Sequence, residues 1–389
     1  MLMIDTITIG IGAIILLLAL TTPFLNGLLR KPKGIVVGSS DETAEEFQTI
    51  SSKAPPVSII LTPYENAHEL EHYLPLILEQ DYPDFEVIVV ICKGDSDTED
   101  AMKRLADNPH IYCTYVPDSS RYMSRKKLAV TLGVKAAKNE WILLTDAQCY
   151  PTSTHWLAAM ASNCRKGINL VYGYTRYDVD TPAFWRFERL HTDLYLLREA
   201  QYNTAYRHNS CNLMFRKSEF IDNDGYRGNL KYLRGEYDFI VNKYARRGAT
   251  AVELRPESWL TEQQPTYKEW RNKHLFYFEN RQHMARSSRH RRLFNLDQTA
   301  IYVNYLLIFA AVIISVVTQQ WILTAISIIA LSITICLRIV IGKKTLELFQ
   351  EHIPTWKIIP YEIWLLGNAV SMRYKYLRSD KNDFISHKL

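Results

Sequence analysis

The sequence contains no HExxH, no GxSxG and no GxxxxGK[ST], so zinc peptidase, serine hydrolase and P-loop chemistry all lack their motifs. Cysteine is scarce. The six residues at 92, 113, 149, 164, 211 and 336 show no close paired spacing, which excludes a zinc-finger pattern and a small disulfide scaffold. A strong charge of one sign is also missing. Lys and Arg number 46 and Asp and Glu 41, and a net charge of +5 over 389 residues makes no case for binding a nucleic-acid polymer. With 47% hydrophobic and 22% charged residues the chain is neither disordered nor collagen-like, and it is long enough for one large domain or two ordinary ones.

What is present is unevenly spread. Residues 6–29 carry no charge and are long enough to cross a bilayer core of about 30 Å. A cleaved signal needs positive charge in front of its apolar stretch. Here Asp5 stands in front, and Arg30, Lys31 and Lys33 come after. Residues 4–29 are therefore expected to be an uncleaved anchor, with the N-terminus outside and the linker 30–53 already in the cytoplasm. Residues 299–318 and 321–337 are also uncharged and are separated by Gln319 and Gln320. They read as a transmembrane hairpin over 299–342, against the alternative of buried helices in a soluble core. Arg286, Arg289, Arg291 and Arg292 precede the hairpin, and Arg338, Lys343 and Lys344 follow it. Both flanks thus fall on the cytoplasmic side, in agreement with the anchor, and reduced thiols are expected there. Residues 356–377 mix Lys357, Glu362, Arg373 and Lys375 with Trp356, Tyr361, Trp364, Tyr374 and Tyr376. That composition suits a helix lying in the interface, within a C-terminal segment 343–389. Uncharged spans offer no polar path, which argues against a transporter.

Between residues 54 and 262 short apolar runs alternate with helical patterns. Residues 56–62, 85–91, 111–116, 140–145 and 170–174 read as strands. Asn66 with Glu69 resembles a capping box before Leu70, Leu74 and Ile77. Asp97, Ser124 and Ser153 or Thr154 are further candidate helix starts. The alternation implies an α/β domain with a mostly parallel, Rossmann-like sheet covered on both faces. Ligands of such sheets bind at the carboxyl edge of the strands, which gathers residues 62–65, 92–97 and 146–149 around one cleft.

These loops carry a resemblance. VSIILTPYENAHELEHYLPLILEQDYPDFEVIVV, followed by SRKKLAVTLGVKAAKNEWILLTDAQCYP, resembles the opening blocks of family 2 glycosyltransferases over roughly residues 55–255. The resemblance implies the GT-A nucleotide-diphospho-sugar transferase fold. With the one-plus-two membrane layout it implies a multi-pass enzyme of a bacterial inner membrane whose catalytic domain is cytoplasmic. It also implies inverting transfer of a sugar from a nucleotide-sugar donor to a lipid-linked or glycan acceptor presented at the membrane. Capsule, lipopolysaccharide or exopolysaccharide assembly, with other glycan-assembly proteins as partners, is the implied setting.

The departing diphosphate needs a cation and the acceptor hydroxyl needs a base. In the family an Asp-x-Asp holds Mg or Mn. Here it reads Asp146-Ala147-Gln148, and an amide oxygen binds a divalent cation without adding charge. Thr62, Tyr64 and Glu65 line the donor side by the same resemblance. Cys92 stands where the family has an acid for the nucleobase, so Asp95 is expected to substitute and Asp97 to be either a substitute or a helix cap. Of the basic group Arg121, Arg125, Lys126 and Lys127, the resemblance, through the family's spacing to Gly133, favours Lys126 for the diphosphate. The family carries Gly-Glu-Asp or Gly-Asp-Asp at its base, and the resemblance implies a base within Arg234-Gly235-Glu236-Tyr237-Asp238. Strict register puts Tyr237 at its position, which leaves Asp238 or Glu236. Gly235 and Asn212 are expected on the acceptor side. The Gln-x-x-Arg-Trp motif of processive synthases is absent. Residues 263–298, with Trp270, Phe276, Tyr277 and Arg281, are expected to form an interfacial amphipathic region or, alternatively, a core-packing helix. Because Gln148, Cys92 and Tyr237 each replace an expected acid, the alternative function is a non-catalytic membrane scaffold of a glycan assembly complex.

Overall fold

A computed structural model describes residues 6–25, 27–29, 32–33, 47, 54–105, 107–117 and 124–385. Asp5, Arg30, Lys31, Arg121 and nearly all of the 30–53 linker lie outside the described residues. The chain forms two units, one of residues 32–287 with 372–389 and the other of residues 1–31 with 288–371.

The strands are β1 (Val57–Leu61), β2 (Phe85–Cys92), β3 (Ile111–Val116), β4 (Trp141–Thr145), β5 (Cys149–Pro151), β6 (Leu170–Tyr172), β7 (Thr175–Tyr177), β8 (Leu213–Arg216), β9 (Thr250–Val252) and β10 (Leu260–Glu262). The helices are α1 (Thr6–Thr21), α2 (Ala67–Leu78), α3 (Ser96–Arg104), α4 (Arg125–Ala136), α5 (Trp156–Ala161), α6 (Ala183–Tyr202), α7 (Lys217–Asp222), α8 (Glu236–Tyr244), α9 (Tyr267–Asn280), α10 (Ser287–Val317), α11 (Trp321–Leu348) and α12 (Ile358–Arg378).

The larger unit is built on a seven-stranded sheet of order β3-β2-β1-β4-β8-β6-β9. Strands β1 to β4 are parallel, as their unbroken apolar runs predict. Every residue of β1, β2 and β4 is buried. Strand β8 runs antiparallel to β4, with Leu213 opposite Leu144. Its amino end therefore meets the carboxyl end of β4, and residues 207–212 arrive beside Thr145 and Asp146. A second sheet, β5-β10-β7, stands below that edge.

Several local expectations need correction. The strand expected over 170–174 ends at Tyr172 as β6, and a separate strand, β7, begins at Thr175 in the other sheet. Asn66 caps α2 without a side-chain bond, so the predicted capping box is absent. A complete capping box occurs instead at Thr266 and Glu269, where α9 opens. Asp95, not Asp97, caps α3, accepting from the Thr98 amide. Residues 263–298 do not form one interfacial element. Helix α9 packs Trp270, Leu275 and Phe278 against Met372, Tyr376 and Phe384 in a buried cluster.

The smaller unit contains α1, α10, α11 and most of α12. Its segments Thr8–Leu25, His290–Val317 and Trp321–Leu348 are long and apolar enough to cross a membrane. Gln319 takes a left-handed φ of 55° at the tight turn between α10 and α11. Helix α11 runs on through Arg338 to Leu348, past the expected end near 342. Ile15, Ala19, Ile308, Ala311 and Ala330 pack together. Leu17, Leu306, Ile313, Val317 and Val340 are exposed, a surface that suits apolar surroundings. Arg338 faces Glu362 at 3.5 Å, both almost fully buried.

Candidate active site

A cleft of about 620 Å³ opens at the carboxyl edge of β1 and β4, within the size range of small-molecule sites. Thr62, at the end of β1, lines it with a buried hydroxyl that lacks a partner. Pro63 to Asn66 turn the chain into α2, and Glu65 sits there with φ of 55°, a strained value for a residue with a side chain. Asp146 and Gln148 follow β4 into the cleft. Ser210 and Cys211 enter from the amino side of β8, and Glu262 from β10.

Lys126 is the centre of the arrangement. On α4 its ammonium lies 2.6 Å from Asp146 Oδ1 and 3.2 Å from Glu236 Oε1. Burial alone would lower this lysine, but Asp146 and Glu236 outweigh burial and keep it charged. Burial would likewise raise the Glu236 carboxyl, yet Lys126 and then Arg234 hold it well below the ordinary range. Asp238 differs. Burial raises its carboxyl, with Arg207 at 3.7 Å opposing and Glu236 adding to the rise. The two candidate bases thus face one cleft with pKa values pushed apart.

The neighbouring Lys127 is fully buried and points the other way. Its ammonium donates to the carbonyls of Asn229, Tyr232 and Arg234 and so pins the loop that leads into α8. Gly235 caps that helix at φ of 95°, and a Cβ there would stand 2.4 Å from Asn280 Nδ2. Only glycine meets both demands. The role expected for Gly235 on the acceptor side is thus joined by a purely conformational one.

Of the predicted residues, Thr62, Tyr64, Glu65, Lys126, Asp146, Gln148, Gly235, Glu236 and Asp238 line this one cleft. Cys92 and Asp95 do not, although the Glu65 amide donates to Asp95 at 3.2 Å and ties their loop to the rim. The carboxylate of Asp95 serves this link and the cap of α3. Asn212 corrects the expectation of an acceptor contact. It is fully buried, and its amide bonds Trp156, Tyr174 and Ser258. A Cβ on Gly173 would collide with it, so the pair forms a packed joint behind the cleft. Helix α9, read as interfacial, forms a wall of the cleft through Trp270, Asn272, Lys273, Phe276 and Tyr277.

Sequence reading missed two features. The sulfurs of Cys149 and Cys211 and a Glu262 oxygen lie within 4.8 Å of one another. Burial raises the Cys149 thiol, and the hydrogen bond that Cys211 donates to Cys149, together with burial, raises that of Cys211, so both stay protonated. Glu262 is spent on Arg189, at 2.5 Å. Arg207 was also missed. It precedes β8 by several residues, and only the antiparallel pairing with β4 brings it to the edge.

The residues fit a divalent cation held chiefly by its ligand. Asp146 offers a carboxylate oxygen, and the Gln148 side chain faces the cleft with no hydrogen bond among the described residues. One carboxylate with substrate phosphates is a common Mg or Mn arrangement.

Residues 58–220 match the family described as Glycosyl transferase family 2. No curated protein matches the chain significantly. Among solved structures, the mannosyltransferase PcManGT from Pyrobaculum calidifontis, in complex with GDP-Man and Mn2+, is similar over 93% of this chain and 98% of its own, at 17% identity and a TM-score of 0.53. S. aureus TarS 1-349, in complex with UDP-GlcNAc, is similar over 83% of this chain and 92% of its own, at 14% identity and a TM-score of 0.41. The matched segment runs from β1 to α7 and contains Asp146 and Lys126, so the chain carries a segment that matches the family 2 glycosyltransferases, on the GT-A fold.

Proposed function

We propose that the enzyme moves one sugar from a nucleotide-diphosphate donor to a lipid-linked or other glycan acceptor presented at a membrane, with inversion at the anomeric carbon. The carrying observation is the placement of Lys126 between Asp146 and Glu236 with Asp238 facing the same cleft. The acceptor hydroxyl attacks the anomeric carbon while the bond to the diphosphate breaks. Asp238 takes the hydroxyl proton, because its raised carboxyl is the stronger base of the two. Lys126 and the exposed Arg234 meet the negative charge that grows on the leaving diphosphate. A divalent cation held by Asp146 and Gln148 supplies further neutralisation when bound.

The three apolar helices and the exposed apolar surface of the smaller unit support a membrane setting. We infer a multi-pass protein of a bacterial inner membrane, N-terminus outside and transferase domain cytoplasmic, acting with other proteins in cell-surface polysaccharide assembly. The losses at Gln148, Cys92 and Tyr237 would suit a scaffold, but the Lys126–Asp146–Glu236 group set in the cleft favours a working site. A donor panel with Mn2+ tests the reading: turnover with one nucleotide sugar that D146A abolishes is the expected outcome. Nucleotide binding with no turnover on any donor would favour the scaffold.

A further inference from the structure

One end of the cleft is rich in hydrogen-bond donors. Lys273, on α9, approaches Glu262 only to 3.9 Å and makes no hydrogen bond among the described residues. Glu262 itself is engaged by Arg189. Arg207 is 8% exposed and stacks over the Tyr277 ring at 4.0 Å. It reaches Asn209 at 3.4 Å and Asp238 at 3.7 Å, and its Nε has no partner. Asn272 accepts from Arg271 with its amide oxygen, which leaves its NH2 group to offer. All three line the cleft. Arg207 is a buried cation with an unspent donor, costly unless something fills it, and the half-exposed Lys273 stands beside it with its donors free for a ligand.

We propose that Lys273, Arg207 and Asn272 form an oxyanion subsite for the acceptor, so that the sugar receiving the new unit carries a carboxylate or a phosphate near its reactive hydroxyl. This rests on the glycosyl-transfer reading and narrows it to an acidic acceptor. Arg207 then has two tasks. It grips the anion with its free donor edge, and it stands beside Asp238, so an acidic acceptor is delivered next to the base. Lys273 and Asn272 come from α9 and Arg207 stacks on Tyr277 of the same helix, whereas Thr62 and Asp146 follow β1 and β4 and Lys126 stands on α4.

The test uses the detergent-solubilised full-length chain with Mn2+ and GDP or UDP. Ligand-observed NMR titrations compare methyl glucuronide, glucose 6-phosphate and methyl glucoside. One charged probe is expected to bind about tenfold or more tightly than the neutral one, the scale of a charge-assisted hydrogen bond. Whichever it is tells carboxylate from phosphate. R207Q/K273M should erase the preference, R207K/K273R should keep most of it and so report a folded site, and nucleotide-diphosphate affinity should not move. Equal or undetectable binding of all three probes by the wild type would overturn the proposal. So would a preference that survives R207Q/K273M, or a matching loss of nucleotide affinity, which would assign the cations to the donor. A charged preference without nucleotide binding would keep the anion site and sink the glycosyl-transfer reading instead.

Discussion

Lys126 and Asp146 meet at 2.6 Å, and the same ammonium reaches Glu236 at 3.2 Å. One largely buried cation thus holds two carboxylates that stand 90 positions apart in the sequence. Without it, two anions would share a cleft that must also accept a diphosphate. K126M is expected to lower kcat by about a hundredfold or more, the usual effect of deleting one preorganised charge. K126R keeps the charge but not the compact head, and should recover only part of the rate. Steady-state kinetics with circular dichroism as a fold control measures both. Wild-type kcat in K126M would remove the lysine from the leaving-group step.

The two candidate bases predict different pH profiles. A base works only when deprotonated, so activity falls as pH drops through its pKa. Burial raises Asp238 above its ordinary 3.8, so an Asp238 base places the acid limb of kcat/KM above that value. Lys126 holds Glu236 below its ordinary 4.5, so a Glu236 base would place the limb lower still. The expected outcome is the higher limb, with D238N nearly inactive and E236Q changing donor affinity more than the limb. An acid limb that D238N leaves in place would transfer the role to Glu236.

Much of this site could be read from the chain, because local signals carried it. The apolar runs fixed which strands were parallel and buried, and so which loops shared an edge. Helix geometry showed only that Arg125, Lys126 and Lys127, about 100° apart, cannot all face the cleft, and the family's spacing to Gly133 singled out Lys126. Long-range pairing stayed illegible. Asn212 has the polarity of a cleft residue, and only the sheet register shows it turned inward to Trp156 and Ser258. Lys273 and Trp270 looked interfacial because aromatic and basic residues alternate there. The packing of α9 against the chain's C-terminal residues, hundreds of positions from the donor loops, decides otherwise.

Lys127 is expected to matter for stability rather than for binding. Its three carbonyl partners belong to the loop that positions Gly235 and Glu236. K127M strands those acceptors in a buried site and should cost about 3 kcal/mol or more, at roughly 1–3 kcal/mol for each unpaired group. Chemical denaturation of the full chain in detergent, followed by tryptophan fluorescence, reads the loss. K127R is too large and planar to repeat the threefold contact and should rescue little. A variant as stable as the wild type would show that the loop holds itself.

The Arg338–Glu362 pair makes a last prediction, in the smaller unit. Arg338 is 1% exposed and lies on α11, while Glu362 lies on α12, 3.5 Å away. Burying two charges gains little over an apolar pair, but removing one leaves the other charged in a poor solvent. R338L and E362L are each expected to destabilise the unit by about 3–5 kcal/mol. R338L/E362L should recover most of that loss, because neither charge is left behind. Thermal unfolding of the full chain in detergent, read as a double-mutant cycle, gives the coupling directly. If the two single losses simply add in the double variant, the charges do not depend on each other, and α11 and α12 are joined by packing alone.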